Sequence, residues 1–355
     1  MSHPYPVDTL GLWDATAGLP EQLGAAADGA IDVLRRVTLP ARLDLRSVVV
    51  CGVGSSGLAG DAAAAMGASI PIVVSRGDDV PAFVGPDSLV FAVSWSGDTD
   101  ETVTAARAAR ERGAPMIVIS GGGALTELAL ASDLAHFPLP ADLPASRAAW
   151  GAAVVPLLLT LEHLGVVPDV TKSLADCLPA LRRRRDALVA ARSPAEEVAR
   201  RIGRTMPLIY GSVGTSAVAA QRWKTQINAN AKTPAFAAVQ PELSHNEVAG
   251  WGQHGDVTRQ VLSLVTLRHA AEGPLVARRV AFVNQVIDEV MADVIPVWTE
   301  GEDDLARLFD LSLFGDFVSL HLAGREGTDP GPVPAVEDGR ASETQENPRE
   351  AAAKE

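Results

Sequence analysis

The chain has 355 residues, of which 47% are hydrophobic and 21% are charged, and its formal net charge is −14 at pH 7. This is a globular composition, long enough for two domains, and its acidity argues against a nucleic acid or an anionic membrane as the partner. The only two cysteines, Cys51 and Cys177, exclude a disulfide framework and a thiolate metal site. With no basic-plus-apolar leader and no long apolar span, the expected location is the cytoplasm.

The first part of the chain predicts a helical lead-in followed by a strand, a glycine-rich turn and a helix. Residues 1–40 form the lead-in, with a helix over residues 20–36, and the apolar residues 47–51 predict a buried strand. The turn at residues 52–57 contains Ser56 and precedes a small-residue helix over residues 58–66. A glycine-rich turn alone is also compatible with a dinucleotide site. However, the G-x-G-x-x-G spacing is incomplete, and no acidic residue closes the next predicted strand, residues 70–74.

Residues 88–102 indicate an anion-binding site. An apolar run over residues 89–93 predicts a strand buried on both faces, and a helix is predicted over residues 101–112. The hydroxyl residues between and beside these elements are Ser94, Ser96, Thr99 and Thr102. Hydroxyls beside a helix N-terminus suit a phosphate group. The alternative is that Asp98, Thr99 or Asp100 merely caps the helix.

Continuous apolar strands that alternate with helices predict a parallel sheet covered on both faces. A further strand is predicted over residues 115–120, and a helix begins near Leu125. Ligands of such sheets bind beyond the carboxyl ends of the strands. Ser56, Ser94, Ser96 and Thr99 all follow such ends, which favours phosphate binding over a scatter of helix caps.

The second part of the chain repeats this design. Helices are predicted over residues 145–163, beginning beside Arg147, and over residues 174–202. A strand from Met206 ends in glycine and hydroxyl residues before a helix that reaches about residue 230. Later strands are expected at residues 261–267 and 294–297, with helices at residues 276–290 and 303–323. The predicted domains are residues 41–165 and 204–333, joined by a helical connector, residues 166–203, and followed by an acidic, disordered tail, residues 334–355.

Four motifs, at residues 52–57, 94–102, 222–232 and 241–251, resemble those of the bifunctional phosphoglucose/phosphomannose isomerases. The resemblance covers residues 8–333. It implies two sugar isomerase (SIS) domains, each a flavodoxin-like three-layer αβα sandwich with a parallel sheet, and a homodimer with active sites between subunits. The implied substrates are glucose 6-phosphate and mannose 6-phosphate, each interconverted with fructose 6-phosphate without a metal or an organic cofactor.

The resemblance also implies roles for individual residues. Ser56, Ser94, Ser96 and Thr99 would hold the phosphate, with Thr102 close by. Arg147 would stabilise the negative charge of the enediolate that forms when a proton leaves C2. His245 would open the sugar ring and would reach the site of the neighbouring subunit.

One departure from the family bears directly on catalysis. The family has Asn-Glu-Asn-Ala-Lys where this chain has Asn-Ala-Asn-Ala-Lys at residues 228–232, and the glutamate replaced by Ala229 is the base that moves the proton between C2 and C1. Gly331 replaces a threonine that often follows Asp-Pro in the family. Loss of a general base costs about 10² to 10⁴ in rate. Two functions therefore remain open: a phosphosugar-binding protein with weak or lost catalysis, and an active isomerase with another base or an altered substrate.

Overall fold

The computed structural model describes residue 5 and residues 7–336 of the chain. The predicted acidic tail therefore lies outside the described residues from residue 337 onward. Two separate parallel sheets form the framework, one in each half of the chain. No helix within the described part combines the length and the low charge needed to cross a bilayer.

The first sheet, sheet A, has five strands in the order β2-β1-β3-β4-β5, all parallel. The strands are β1 (Ser47–Cys51), β2 (Ile72–Ser75), β3 (Ser88–Ser94), β4 (Met116–Ser120) and β5 (Ala135–Pro138). Every residue of β1, β3 and β4 is buried, as the unbroken apolar runs predicted. Neighbouring residues of a strand point to opposite faces, so β1, β3 and β4 each supply side chains to two hydrophobic clusters, one on each face of the sheet.

Helices cover both faces of sheet A. Those of this half are α1 (Leu12–Ala17), α2 (Leu19–Leu34), α3 (Ser55–Ala64), α4 (Asp100–Glu111), α5 (Gly123–Ala131) and α6 (Trp150–His163). Val49 and Val90 pack with α4 and α5 on one face, whereas Val48 and Phe91 belong to the cluster that contains α2, α3 and α6. The predicted helical lead-in thus forms two helices, of which α2 packs along α6.

The second sheet, sheet B, has four parallel strands in the order β7-β6-β8-β9. They are β6 (Met206–Ser212), β7 (Phe236–Gln240), β8 (Leu262–Arg268) and β9 (Val294–Trp298). The helices of this half are α7 (Val170–Val189), α8 (Pro194–Ile202), α9 (Thr215–Gln226), α10 (Gly255–Val261), α11 (Pro274–Ile287) and α12 (Asp304–Arg325). A stretch of π-helix, Ile227–Ala231, continues α9.

The helical stretch predicted over residues 174–202 is broken. Ala190 is extended (ψ 150°), and the Ser193 side chain accepts a hydrogen bond from the Glu196 N–H, so α8 begins as a new helix with Pro194 in its first turn. Proline suits the first turn because its missing N–H would have no partner there. The connector is therefore two helices.

The two halves share one hydrophobic core. Helix α12 is buried along most of its length and contacts α7, α8 and α9. Trp223 of α9 stacks on Phe314 of α12, and Trp150 of α6 meets Phe309 edge to face. Helix α3 of the first half also contacts α9 of the second. These contacts bring the carboxyl-end loop of β1 close to the helix that carries Ala229.

Candidate functional site

The loop between β1 and α3 is shaped by glycines that allow close approach to the neighbouring strand. A Cβ on Gly52 would lie 3.0 Å from the Val93 carbonyl oxygen and 3.1 Å from the Cβ of Ser56. Gly54, which precedes α3, has φ +59°, a conformation that favours glycine. Ser56 therefore lies in the first turn of α3, beside the end of β3, because α3 begins at Ser55 and not at residue 58 as predicted.

Three of the predicted phosphate-binding hydroxyls meet at the end of β3. The Ser94 Oγ lies 2.9 Å from the Thr99 Oγ1 and 3.4 Å from the Ser96 Oγ. Ser94 is 2% exposed, whereas Ser96 is open to solvent. The Gly97 N–H donates to Ser94 Oγ over 3.1 Å, and the Asp98 N–H donates to Ser96 Oγ over 3.2 Å. The result is a small hydroxyl cradle, Ser94–Ser96–Thr99, with one buried wall and one open side.

The helix-capping interpretation of this stretch is wrong. Thr99 occupies the N-cap position of α4, yet its side chain makes no capping hydrogen bond and contacts Ser94 instead. Asp98 accepts from the Ala124 N–H over 2.8 Å and so caps α5, not α4. The first N–H groups of α4 receive no side-chain cap, which leaves the positive end of the helix dipole beside the cradle.

Gly97 holds the cradle against the next loop of sheet A. It has φ +78°, and a Cβ on it would lie 1.7 Å from the Gly122 carbonyl oxygen. The Leu125 N–H also donates to the Gly97 carbonyl over 3.0 Å. No other residue type fits this position without displacing one of the two loops.

Thr102 is the third residue of α4 and is 1% exposed. Its Oγ1 is buried and has no hydrogen-bond partner among the described residues. A buried hydroxyl without a partner is destabilising unless a water or a ligand oxygen satisfies it. Thr102 is thus close to the cradle in sequence, but its side chain is enclosed by protein.

Arg147 connects the first half of the chain to the motif that contains Ala229. It lies in a short 3₁₀ turn, Ser146–Ala148, just before α6, and its Nε donates to the Asn230 Oδ1 over 2.7 Å. Its Nη2 donates to the carbonyls of Pro330 and Gly331 over 2.6 and 2.5 Å. The sequence placed Arg147 at the start of an apolar helix but gave no sign of these three partners.

Ala229 is half-buried within the π-helical stretch, next to Asn230. Lys232, at φ +54°, ends this stretch, and its Nζ donates to the carbonyls of Ala229 and Asp329 over 2.7 and 3.0 Å. Lys232 and Arg147 together bind residues 329–331 to the end of the helix. π-Helical turns often accompany functional sites because they shift a side chain relative to the regular helical face.

A buried ion pair, Arg222–Asp316, contacts the backbone of Arg147. The Arg222 Nη2 donates to the Asp316 Oδ2 over 2.6 Å and to the Arg147 carbonyl over 3.1 Å. The guanidinium carbon of Arg222 also lies 4.7 Å from the centroid of the Trp150 ring. Burial raises the pKa of the Asp316 carboxyl, while Arg222 acts in the opposite direction. Arg222 and Asp316 were not predicted as site residues, although Arg222 opens one of the four motifs.

His245 lies apart from these contacts. It follows the short 3₁₀ helix Glu242–Ser244 beyond the end of β7, and its side chain is exposed. Its backbone N–H donates to the Glu242 carbonyl over 2.9 Å, and its imidazole makes no hydrogen bond to another described residue. The structure therefore brings together Ser94, Ser96 and Thr99, and separately Arg147 and the Ala229 segment, whereas the exposed His245 lies apart from both groups.

Two family models match the chain. Residues 44–136 match the SIS domain, and residues 191–342 match the bacterial phospho-glucose isomerase C-terminal SIS domain. Each match spans one of the two parallel sheets, so the chain is built from two SIS domains with helices on both faces of each sheet. No group of three or more potential metal-ligating side chains occurs within residue 5 and residues 7–336.

Curated relatives match over nearly the whole chain. A bifunctional phosphoglucose/phosphomannose isomerase of Caldicellulosiruptor bescii is 31% identical over 333 residues, which cover 92% of this chain and 97% of the relative. A protein of the same description from Aquifex aeolicus is 31% identical over 298 residues, 82% of this chain and 88% of the relative.

Solved structures share the fold at lower identity. The C-terminal domain of glucosamine-fructose-6-phosphate aminotransferase from Francisella tularensis aligns with a TM-score of 0.68 and 17% identity, over 90% of this chain and 96% of that chain. Tagatose-6-phosphate ketose/aldose isomerase from Escherichia coli aligns with a TM-score of 0.63 and 16% identity, over 94% of this chain and 98% of that chain.

Proposed function

The chain belongs to the bifunctional phosphoglucose/phosphomannose isomerase family, and on that premise we propose that it binds hexose 6-phosphates with weak or lost isomerase activity. The ligands would be glucose 6-phosphate, mannose 6-phosphate and fructose 6-phosphate. The observation that carries the proposal is the contrast between a complete hydroxyl cradle at Ser94, Ser96 and Thr99 and the methyl group of Ala229 at the base position.

The cradle has the chemistry that a phosphate needs in this protein. With a net charge of −14, the overall field repels an anionic ligand, so local donors must hold it. Ser94, Ser96 and Thr99 each offer a hydroxyl proton, and the uncapped N-terminus of α4 adds N–H groups and a favourable dipole. Ser56 would add a hydroxyl from the first turn of α3, whereas Thr102, whose hydroxyl is enclosed by protein, would lie close by without contacting the phosphate.

Arg147 and His245 would act on the sugar. In the aldose–ketose reaction a base removes the C2 proton, an enediolate forms, and the proton returns at C1. A fixed guanidinium stabilises the developing anion, and Arg147 is held by Asn230 and two carbonyls in one orientation. The exposed imidazole of His245 would open the ring by proton transfer in the site of a second subunit.

The proton-transfer step lacks its general base, because alanine occupies position 229. Ala229 has no side-chain atom that accepts a proton, and the two cationic side chains that contact this segment, Arg147 and Lys232, donate hydrogen bonds to Asn230 and to the Ala229 carbonyl. If the chain is active, the reaction is that of an intramolecular oxidoreductase that uses a different base or an altered substrate, and ordinary turnover in a coupled assay would identify it as such.

Ligand-dependent thermal stability tests the binding half of the proposal. A ligand that binds only the folded state raises the melting temperature by mass action. We expect hexose 6-phosphates to raise it for the parent protein, and the double variant Ser94→Ala/Thr99→Ala to lose that response while keeping a cooperative transition. A double variant that still responds like the parent would contradict the assignment of the cradle.

We also propose a homodimer in which His245 serves the partner's cradle. Light scattering at micromolar protein concentration should report twice the mass of the chain, which is 37.0 kDa. A monomer at that concentration would contradict this arrangement without affecting the cradle itself.

A further inference from the structure

A cavity of about 450 Å³ lies between helix α3 of the first domain and helix α9 of the second. Its lining residues are Gly54, Leu58, Asp61, Arg76, Gln221 and Thr225. This volume falls in the range of small-molecule sites, roughly 300–1,000 Å³. The lining combines one apolar side chain with a carboxylate, a guanidinium, an amide and a hydroxyl, so almost every side chain in it can form a hydrogen bond.

Glycines on α3 allow the two charged groups of the cavity to meet. Arg76 directly follows β2, and its guanidinium lies across α3 to pair with Asp61. A Cβ on Gly57 would lie 3.0 Å from the Arg76 Nε, and a Cβ on Gly60 would lie 2.8 Å from side-chain atoms of Val50 and Val74. The absence of side chains at Gly57 and Gly60 thus brings α3 close to β2 and leaves room for Arg76.

The pair is open to a ligand. The side chains of Arg76 and Asp61 are 45% and 32% exposed, so water reaches both groups. Partial burial nonetheless raises the pKa of Asp61, although the nearby Arg76 acts to lower it. An exposed ion pair of this kind contributes little to stability, about 0–1 kcal/mol. A ligand that covers the pair would exclude water and strengthen its hydrogen bonds to both groups.

The cavity borders both parts of the proposed site. The Gly52 N–H donates to the Ser75 carbonyl over 3.1 Å, next to Arg76, while the other side of Gly52 lies against Val93, next to Ser94. Thr225 lies near the end of α9 and precedes Ala229 by four residues, so the two lie about one turn apart along the chain where α9 passes into the π-helical stretch. The cavity therefore lies next to the cradle loop and along the helix that leads to the base position.

We propose that this cavity is the subsite that binds the sugar hydroxyls of a hexose 6-phosphate. Asp61 accepts hydrogen bonds from hydroxyls, Arg76 donates, and the Gln221 amide does both. The Thr225 hydroxyl donates to the Arg222 carbonyl over 2.9 Å, which leaves its oxygen as an acceptor. The inference rests on the proposed function, because the cradle must hold the phosphate. It adds an explanation of why the protein would bind a hexose phosphate more tightly than a shorter phosphate ester.

The test compares three phosphate ligands by isothermal titration calorimetry on the full chain: glucose 6-phosphate, glycerol 3-phosphate and inorganic phosphate. The variants are Gln221→Ala and Asp61→Asn, and Gln285→Ala on the exposed side of α11 is the matched control. Loss of one ligand hydrogen bond lowers affinity about tenfold. We expect the Kd for glucose 6-phosphate to rise about tenfold in each cavity variant, with the other two ligands unchanged and the control like the parent.

The outcomes separate this inference from the proposed function. If the parent binds all three ligands and Ser94→Ala/Thr99→Ala loses them, but the cavity variants still bind glucose 6-phosphate like the parent, the sugar subsite is overturned and the cradle stands. Equal weakening of all three ligands in the cavity variants would also overturn it, because the cavity would then act through the phosphate. If the parent binds none of the ligands, the proposed function fails, and the subsite fails with it.

Discussion

Replacing Arg222 with methionine tests how the buried ion pair supports the site. In the parent, Arg222 and Asp316 are 2% and 4% exposed and are joined by a hydrogen bond of 2.6 Å. Methionine fills much of the same volume but leaves the Asp316 carboxylate buried without its cation. It also removes the donor to the Arg147 carbonyl and the guanidinium stacked on Trp150.

The expected loss of stability is large. Breaking a buried ion pair by removing one partner costs about 3–5 kcal/mol, since the other charge stays desolvated. The stacking on Trp150 adds about 1 kcal/mol. We therefore expect urea denaturation at pH 8 to show a decrease of about 4–6 kcal/mol in the free energy of unfolding of Arg222→Met. The double variant Arg222→Met/Asp316→Leu, which removes both charges, should recover most of this loss.

The pH dependence of the stability of Arg222→Met gives a second, independent check of the ion pair. Burial raises the pKa of Asp316, and without Arg222 to oppose it that pKa should rise further. Between the ordinary carboxyl pKa and this raised value the folded state binds more protons than the unfolded state, so the stability of the variant increases as pH falls. The difference between parent and variant should therefore shrink from pH 8 to pH 5.5. A loss below about 1 kcal/mol at pH 8, or one independent of pH, would refute this account of the pair.

Two further predictions concern packing and titration. Gly97→Ala should destabilise the protein by more than about 3 kcal/mol and abolish the melting response to sugar phosphates, because the new Cβ would clash with the Gly122 carbonyl. The control is Gly67→Ala, at φ +68° with open space around it, which should lower the stability by only about 1 kcal/mol. His321 is buried beside Tyr5, and burial lowers its pKa from 6.5 to about 4. Between these two pH values the unfolded state binds more protons than the folded state. The free energy of unfolding should therefore fall by up to about 3 kcal/mol as the pH drops from 6.5 to 4. Urea titrations of His321→Gln should lack this component, and an identical pH profile in parent and variant would contradict it.

The strands with the clearest sequence signal are those buried on both faces. Continuous apolar runs such as β1 and β3 carry a strong signal, because every residue must be apolar. Of the four edge strands, β2 and β9 were predicted, whereas β5 and β7 were not. Strand β5 has only four residues and includes His136, whereas β7 runs from the exposed Phe236 through three half-buried residues to the buried Gln240, just before the motif at residues 241–251. Edge strands need less apolar sequence, so their pattern is weaker.

The cradle could be predicted because its hydroxyls are local in sequence. Ser94, Ser96 and Thr99 follow one strand, and the carboxyl end of that strand fixes where they lie. The partners of Arg147 could not be predicted in the same way. They come from the π-helical stretch after α9 and from residues 330–331, and these meet only through the packing of α12 and the shared core.

The same reasoning explains why the capping alternative is wrong. A carboxylate just before a helix usually caps that helix, whereas Asp98 caps α5, which begins 25 residues later. The turn at Gly97 aims the carboxylate at the neighbouring loop instead. Contacts between loops at one edge of a sheet depend on strand order, which local sequence patterns do not contain.

The central claim is that the binding site is retained while the proton-transfer group is missing. A coupled assay for interconversion of glucose 6-phosphate or mannose 6-phosphate with fructose 6-phosphate tests it directly, on the parent, on Ala229→Glu and on the exposed control Ala281→Glu. We predict a very slow parent, an unchanged control, and a gain of about tenfold or more for Ala229→Glu, limited by misplacement of the new carboxylate. A parent that turns over at ordinary rates, about 10 s⁻¹, with Ala229→Glu neutral or harmful, would show that another group moves the proton and would contradict the claim.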